Sequence, residues 1–415
     1  MKNLYFKMLV FIFGLAFFGG VITSILKFLD YTIPVSIISL LIISVYPVTL
    51  FKMLRHIRLD PIIQRVTVIL FIFSGCLILK LLLQPYLLSI EGFYMALIFI
   101  FSIFAFYLPL GLNEEKTWRL FNYILYFGYG FLCIAYIQLF FHEFIHISFV
   151  ELPVIDSATI TKDYKREIED VVLFRPNGLF ANPITFGSLL LLFYSLELYK
   201  FFENKSIFSF AISVLYLLMI LLLFSRGNII AAILITLITI LLKYKIVKFL
   251  IITNIFAILV IMLFWYFYDQ SIALQFLIDR FTGADSYAVS SNEEHISDYL
   301  SALNLLSESI FLGISTDIDS SRSVVTDGSW FILPLQFGLP IFLIFSILWL
   351  YVLRKIYQLN KFFPAFLFPF FCAVSLTGFL NSFLLEKKVF FIMWLIFGLA
   401  INLYILNKSK LNEIT

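Results

Sequence analysis

The sequence predicts an all-α polytopic membrane protein, one membrane domain over residues 1–415 that crosses a bilayer about twelve times with both ends on the cytoplasmic side. Three observations predict it. Of 415 residues 62% are apolar and 13% charged, with a mean hydropathy of +1.02, which leaves too little polar surface to wrap a core in water. Apolar runs of about 20 residues, the length of one helical crossing, follow one another with short polar breaks. Lys and Arg concentrate in alternate breaks, as they do in short loops retained on the cytoplasmic side. Barrel strands are excluded because Phe210 to Phe224 and Leu250 to Phe267 are apolar on every face, without the alternation a barrel needs.

In chain order the spans fall near 8–28, 32–51, 66–83, 93–112, 119–141, 182–199, 207–224, 228–242, 249–267, 330–353, 363–380 and 389–406. The basic start leads into an apolar run with no small-residue cleavage site, so the first span reads as a retained helix. Breaks carrying Lys52, Arg55, Arg65, Lys116, Lys200, Lys243, Arg354 and Lys408 face the cytoplasm on this reading. Cys76, Cys133 and Cys372 all lie inside apolar runs and read as small core residues. No repeat relates the two halves, as it would in an inverted-repeat transporter.

Two outward breaks are long, about 142–181 and 268–329, while the cytoplasmic ones are short. An enzyme working at the outer face needs polar chain there to build a site; a permease does not. Arginines gather in these outward segments: Arg166 and Arg175 in the first loop, Arg226 in the tight break between the seventh and eighth spans, Arg280 and Arg322 in the second loop. A guanidinium is permanently charged, and its planar fork of donors matches phosphate oxygens, so this set suits a lipid phosphate or diphosphate. The plain alternative is pairing with Glu167, Glu169, Asp170 or Asp279, or snorkelling to headgroups. Arg175 and Asn182 stand in the turn-rich stretch RPNGLFANPITFG (175–187), which runs straight into a span, and Arg226 in FSRGN (224–228) interrupts two apolar helices with a single charge.

His142-Glu143-Phe144-Ile145-His146 matches the zinc signature in which two histidines one helical turn apart bind metal beside a glutamate base. No second ligand motif follows, and Glu151 and Asp156 are only guesses for a third ligand. The expected reading is an interfacial helix end, with a membrane zinc metalloprotease as the alternative.

The order RPNGLFANPITFG, FSRGN, then a long outward loop ending in ALNLLSESIFLGIS (302–315) and DGSWFILPLQFGLP (327–340), resembles the O-antigen polymerase and ligase superfamily of bacterial membrane glycosyltransferases over roughly residues 170–345. The resemblance implies a GT-C-like fold in the cytoplasmic (inner) membrane with its active site at the extracytoplasmic face. It implies undecaprenyl-diphosphate-linked oligosaccharides as donor and acceptor, membrane lipid around them, a chain-length regulator as a further partner, and no metal, cofactor or nucleic acid. Arg175 and Arg226 match arginines that hold the donor diphosphate. Near Glu294 and His295 many members carry an arginine that this chain lacks, and Arg280 or Arg322 would substitute.

Within the superfamily, ligases commonly place His then Asn where this chain has Asp327, which favours a polymerase making O-antigen, capsule or another exopolysaccharide. Asp327 and His295 are both candidates for the base that deprotonates the acceptor hydroxyl. The plain alternatives are a helix cap for Asp327 and an ordinary loop histidine for His295. An O-antigen ligase and a lipid-linked oligosaccharide flippase stay as alternatives, although a flippase should carry mid-helix charges and short outer loops.

Overall fold

The computed structural model describes residues 5–12, 14, 37–56, 60–83, 99–140, 165–168, 171–174, 176, 183–244, 262, 278, 296–297, 299–307, 309–314, 328–359, 366–379 and 387–414. Ten long or medium helices carry most of them: α1 Ile37–His56, α2 Pro61–Leu83, α3 Glu114–Phe140, α4 Pro183–Asn204, α5 Ile207–Leu222, α6 Arg226–Lys243, α7 Ser329–Phe337, α8 Leu339–Leu359, α9 Leu367–Thr377 and α10 Lys387–Ile414. Local chemistry sets several starts. Proline opens α2, where its missing N–H costs nothing, and Asp60 Oδ1 accepts the Ile62 N–H at 2.7 Å. Asn113 Oδ1 accepts the Lys116 N–H at 3.1 Å, and Glu114 and Glu115 occupy the first turn of α3, where the helix dipole favours negative charge.

Among the described residues six helices are long and apolar enough to cross a membrane: Pro61–Lys80, Glu114–Phe140, Pro183–Asn204, Arg226–Lys243, Leu339–Leu359 and Val389–Lys408. The chain is therefore a multi-pass helical membrane protein. The α10 window is 83% buried and the α8 window 33%, so α10 is a central helix while α8 turns one face outward to lipid. Phe390 and Trp394 of α10 meet Phe345 and Trp349 of α8, and Phe397 stacks on Phe106 at 5.2 Å. Asn402 ties the far end together: its Oδ1 accepts the Gly111 N–H at 2.8 Å, and its Nδ2 donates to Leu112 O and Thr117 Oγ1 at 2.9 Å each. Asp60 and Lys408 stand 3.6 Å apart at that same basic end.

Among the described residues the helical expectation meets one exception, in the first long loop. Strand β1 (Lys165–Ile168) pairs antiparallel with β2 (Val171–Phe174), Ile168 opposite Val171 and Arg166 opposite Leu173. β-branched Ile168, Val171 and Val172 fit a pleated ladder better than a helix. The sequence reading takes Arg166 as a loop residue; it lies on a strand.

A larger correction concerns the tenth span, expected as one helix over 330–353. It is two, broken at Gly338. The Trp330 ring lies 6.0, 6.4 and 6.4 Å from the rings of Phe342, Phe345 and Trp349, whereas a continuous helix would separate residues 330 and 349 by roughly 28 Å. Thus α7 folds back on α8. Gly338 adopts φ 79°, ψ 160°, and Pro340 lacks the N–H that a continuing helix would return to Gln336 O. The eleventh span is also shorter than the expected 363–380: α9 has 11 residues, about 16 Å of rise. Its end receives the start of α7, with the Trp330 N–H donating to Gly378 O at 3.2 Å. Two half-length helices, α9 and α7, therefore meet end to end beside the middle of α8.

Candidate functional site

Three side-chain rungs join α4 to α6. Asn228 Nδ2 donates to Ile184 O at 3.0 Å, Tyr194 and Thr236 share a hydroxyl hydrogen bond of 2.6 Å, and Lys243 pairs with Glu203. Residue numbers rise together along these rungs, so the two helices run parallel and both N-termini lie at one end. Helix N-termini expose unspent N–H groups and carry partial positive charge, and side by side they favour an anion. Arg226 is the first residue of α6 and is partly exposed. Phe224, at φ 49°, makes the sharp turn out of α5, and Ser225 O accepts the Ile229 N–H at 3.0 Å to begin the new helix.

The fit between these helices is tight because residue 187 is glycine. A Cβ there would stand 2.0 Å from Asn228 Nδ2. The PITFG end (183–187) of the first motif and FSRGN, far apart in sequence, are thus packed together through Gly187, Ile184 and Asn228.

The other two motifs also touch. The turn after the helical residues 299–307 lies against the α7–α8 break: the Ile314 N–H donates to Leu335 O at 2.7 Å and the Leu339 N–H to Ile310 O at 2.8 Å. Below them Tyr299 stacks on Phe331 at 4.3 Å and donates its hydroxyl to Phe379 O at 2.8 Å. Gly328, at φ 97°, is buried against the same carbonyl. The two motif pairs are linked by α9, which packs on α4 and α6 and meets α7 at its end.

Of the residues expected to build the site, Arg226 is described. Arg175, Asn182, Arg280, Arg322, His295 and Asp327 lie outside the described residues, as does the His142 to His146 segment. Pro183, next to Asn182, opens α4, and Gly328, next to Asp327, abuts the end of α9. Among the described residues no group of three or more His, Cys, Asp or Glu side chains is placed to hold a metal ion.

Three buried polar side chains were missed by the sequence reading. Lys80, in the last turn of α2, is 1% exposed; its ammonium donates to Gln336 O and lies 5.9 Å from the centre of the Phe337 ring. Gln336 is itself 1% exposed, and among the described residues its Nε2 has no hydrogen-bond partner. Glu197, near the end of the expected span 182–199, accepts from Tyr129 at 2.7 Å and Lys200 at 2.9 Å. A lone lysine near the end of a run reads as snorkelling to the interface. The available signal was the Gly338-Leu339-Pro340 break, which strips Gln336 O of its helical donor and creates the acceptor that draws Lys80 inward.

Compared with models of known protein families and with curated proteins, the sequence matches none.

Proposed function

We propose that this chain is a polysaccharide polymerase, a membrane glycosyltransferase that moves a glycan from its undecaprenyl diphosphate carrier onto the next lipid-linked repeat unit. The observation that carries the reading is the Asn228 to Ile184 hydrogen bond at 3.0 Å, which seats the Arg226 motif on the helix that follows Arg175 and aligns two positive helix ends. On this reading the chain spans the inner membrane about twelve times with N- and C-termini inside, and the α4 and α6 N-termini face outward. That sidedness follows from the basic breaks, with Lys200, Lys205 and Lys243 at the opposite ends of the same helices.

The acceptor hydroxyl attacks the anomeric carbon while Asp327 or His295 takes its proton. The bond from that carbon to the diphosphate oxygen breaks, and undecaprenyl diphosphate departs. Arg226, with Arg175, stabilises the charge growing on the leaving oxygens, an effect worth most where water is excluded. Arg280, Arg322 and Asn182 contribute further donors to the carrier and its sugars.

The test is the glycan profile of cells carrying single substitutions. Arg175→Ala and Arg226→Ala should each abolish long-chain glycan at unchanged membrane abundance, and Arg226→Lys should recover little because a point charge lacks the fork. Wild-type chain lengths in both alanine variants would overturn the diphosphate assignment. Deletion separates the other activities: single repeats on surface lipid indicate a polymerase, none a ligase, and repeats trapped on the inner leaflet a flippase. Stoichiometric zinc in purified protein, with loss of function in His142→Ala, would instead favour a metalloprotease.

A further inference from the structure

Lys80 and Gln336 present a mismatch of donors and acceptors. The ammonium has three N–H groups, and one goes to Gln336 O. The Gln336 amide brings two more, and its nitrogen has no partner among the described residues. Both side chains are 99% buried, and among the described residues no carboxylate forms an ion pair with Lys80. A buried charge that meets, among the described residues, a carbonyl and a ring is costly, and intramembrane lysines of this kind mark sites where an anion is met. What such a place lacks is an acceptor-rich negative group.

We infer that Lys80 and Gln336 form a second anion subsite, one that takes the phosphate groups of a lipid carrier distinct from the one held at Arg226. The inference rests on the polymerase reading, since a polymerase must hold two carrier lipids at once, one leaving and one receiving. Lipid is the favoured source because the same end of α2 shows Leu79, Leu82 and Leu83 at 56%, 72% and 57% exposure, an apolar flank against which an isoprenoid chain can lie. The subsite also touches the motif junction, for Gln336 precedes the Gly338 turn on which residues 310–314 pack. A head group bound there is held by the segment that leads from the second long loop.

Native mass spectrometry of the full-length protein, released from detergent with added undecaprenyl diphosphate, tests this. Wild type should retain two lipids, Lys80→Met one, Arg226→Ala one, and the double variant none. Gln336→Leu, which removes the free amide but keeps the backbone carbonyl, should weaken one site by about tenfold, the loss of roughly one charge-assisted hydrogen bond. Lys80→Arg should retain two. Unfolding temperature is measured for every variant; if Lys80→Met loses lipid only where it also unfolds and Gln336→Leu binds normally, Lys80 is a structural bracket and the inference falls. Wild type holding one lipid, lost in Arg226→Ala and kept in Lys80→Met, overturns the inference while leaving the polymerase reading. Wild type holding none overturns both. Inorganic pyrophosphate or phosphatidylglycerol displacing the Lys80-dependent lipid at equal concentration would show the subsite to be selective for a free ion or a bulk headgroup, and the carrier assignment would fall.

Discussion

Gly313 and Gly338 pack backbone against backbone, and neither has room for a side chain. A Cβ on Gly313 would sit 2.5 Å from Leu335 O and 2.7 Å from Gly338 N; one on Gly338 would sit 2.2 Å from Phe311 O and 3.0 Å from Gly313 N. Both residues have positive φ, 71° and 79°. This contact locks the end of the ALNLLSESIFLGIS segment to the fold-back of α7 on α8.

Gly338→Ala is therefore expected to destabilise strongly. At φ 79°, ψ 160° the backbone lies in a region essentially reserved for glycine, which costs an L-residue about 1–3 kcal/mol, and backbone atoms at 2.2 Å cannot yield as a flexible side chain would. Gly75→Ala is the matched control: Gly75 lies within α2 with nothing within 4 Å of the added methyl, so helix propensity should make it neutral or stabilising by up to about 1 kcal/mol. Thermal unfolding in detergent, read side by side, checks the contrast. Equal unfolding temperatures for the two variants would remove the claim that the turn is strained and tight.

How much of this was legible in sequence depends on the kind of information. Apolar length located α2, α3, α4, α5 and α6 to within about five residues of their observed bounds, because lipid imposes a length on each helix regardless of its neighbours. The break at Gly338 was hidden by the same rule: Phe331 to Leu353 carries no charged residue, and hydropathy does not register direction. Glycine and proline, read for backbone geometry, carry that signal. The adjacency of FSRGN and PITFG (183–187) was invisible, since Asn228 finds a carbonyl 44 residues away, and carbonyl acceptors leave no mark on composition. Lys80 was missed for a related reason, its partner being a backbone oxygen freed by Pro340.

The Gly187 and Asn228 contact predicts a coupled pair of substitutions. Gly187→Ala alone should cost about 1–3 kcal/mol, because the methyl meets Asn228 Nδ2 at 2.0 Å and the Asn228 side-chain carbon at 2.8 Å. Asn228→Ala alone should cost about 1–2 kcal/mol through loss of its bond to Ile184 O in a fully buried setting. In the double variant the clashing group is gone, so the combined cost should fall short of the sum by about 1 kcal/mol. Strict additivity in denaturation of the purified protein would mean that α4 and α6 do not approach through these residues.

Ser375 serves two tryptophans at the level where α9 meets α7. Its backbone oxygen accepts the Trp330 indole N–H at 2.6 Å, and its hydroxyl accepts that of Trp349 at 2.7 Å. Ser375→Ala keeps the first bond and removes the second, leaving a nearly fully buried indole N–H without an acceptor, a loss of about 1–3 kcal/mol. Trp349→Phe in the Ser375→Ala background should recover part of that loss, since the orphaned donor disappears with the indole. Unfolding midpoints of the four proteins provide the measurement; a Trp349→Phe change that adds its full cost in both backgrounds would contradict the bond.

His56 makes the basic end sensitive to acid. It is the last residue of α1, beyond the apolar run 32–51, and its ring is pressed against Gly111 with Nε2 buried and unpartnered. Burial, then the charges of Lys52 and Arg55, push its pKa down to about 4 from an ordinary 6.5. The folded protein therefore holds His56 neutral while the unfolded chain protonates it near 6.5. The stability so contributed is fully present above pH 6.5 and is lost as pH falls from there towards 4. Carboxylates titrate in part of the same window, so the informative quantity is a difference. His56→Phe fills the ring's place without a titrating nitrogen, and its unfolding temperature should gain on wild type as pH drops from 6.5 to 4.5. Parallel curves for the two proteins would show that His56 charges as readily when folded as when unfolded, and that the Gly111 contact does not exclude water from it.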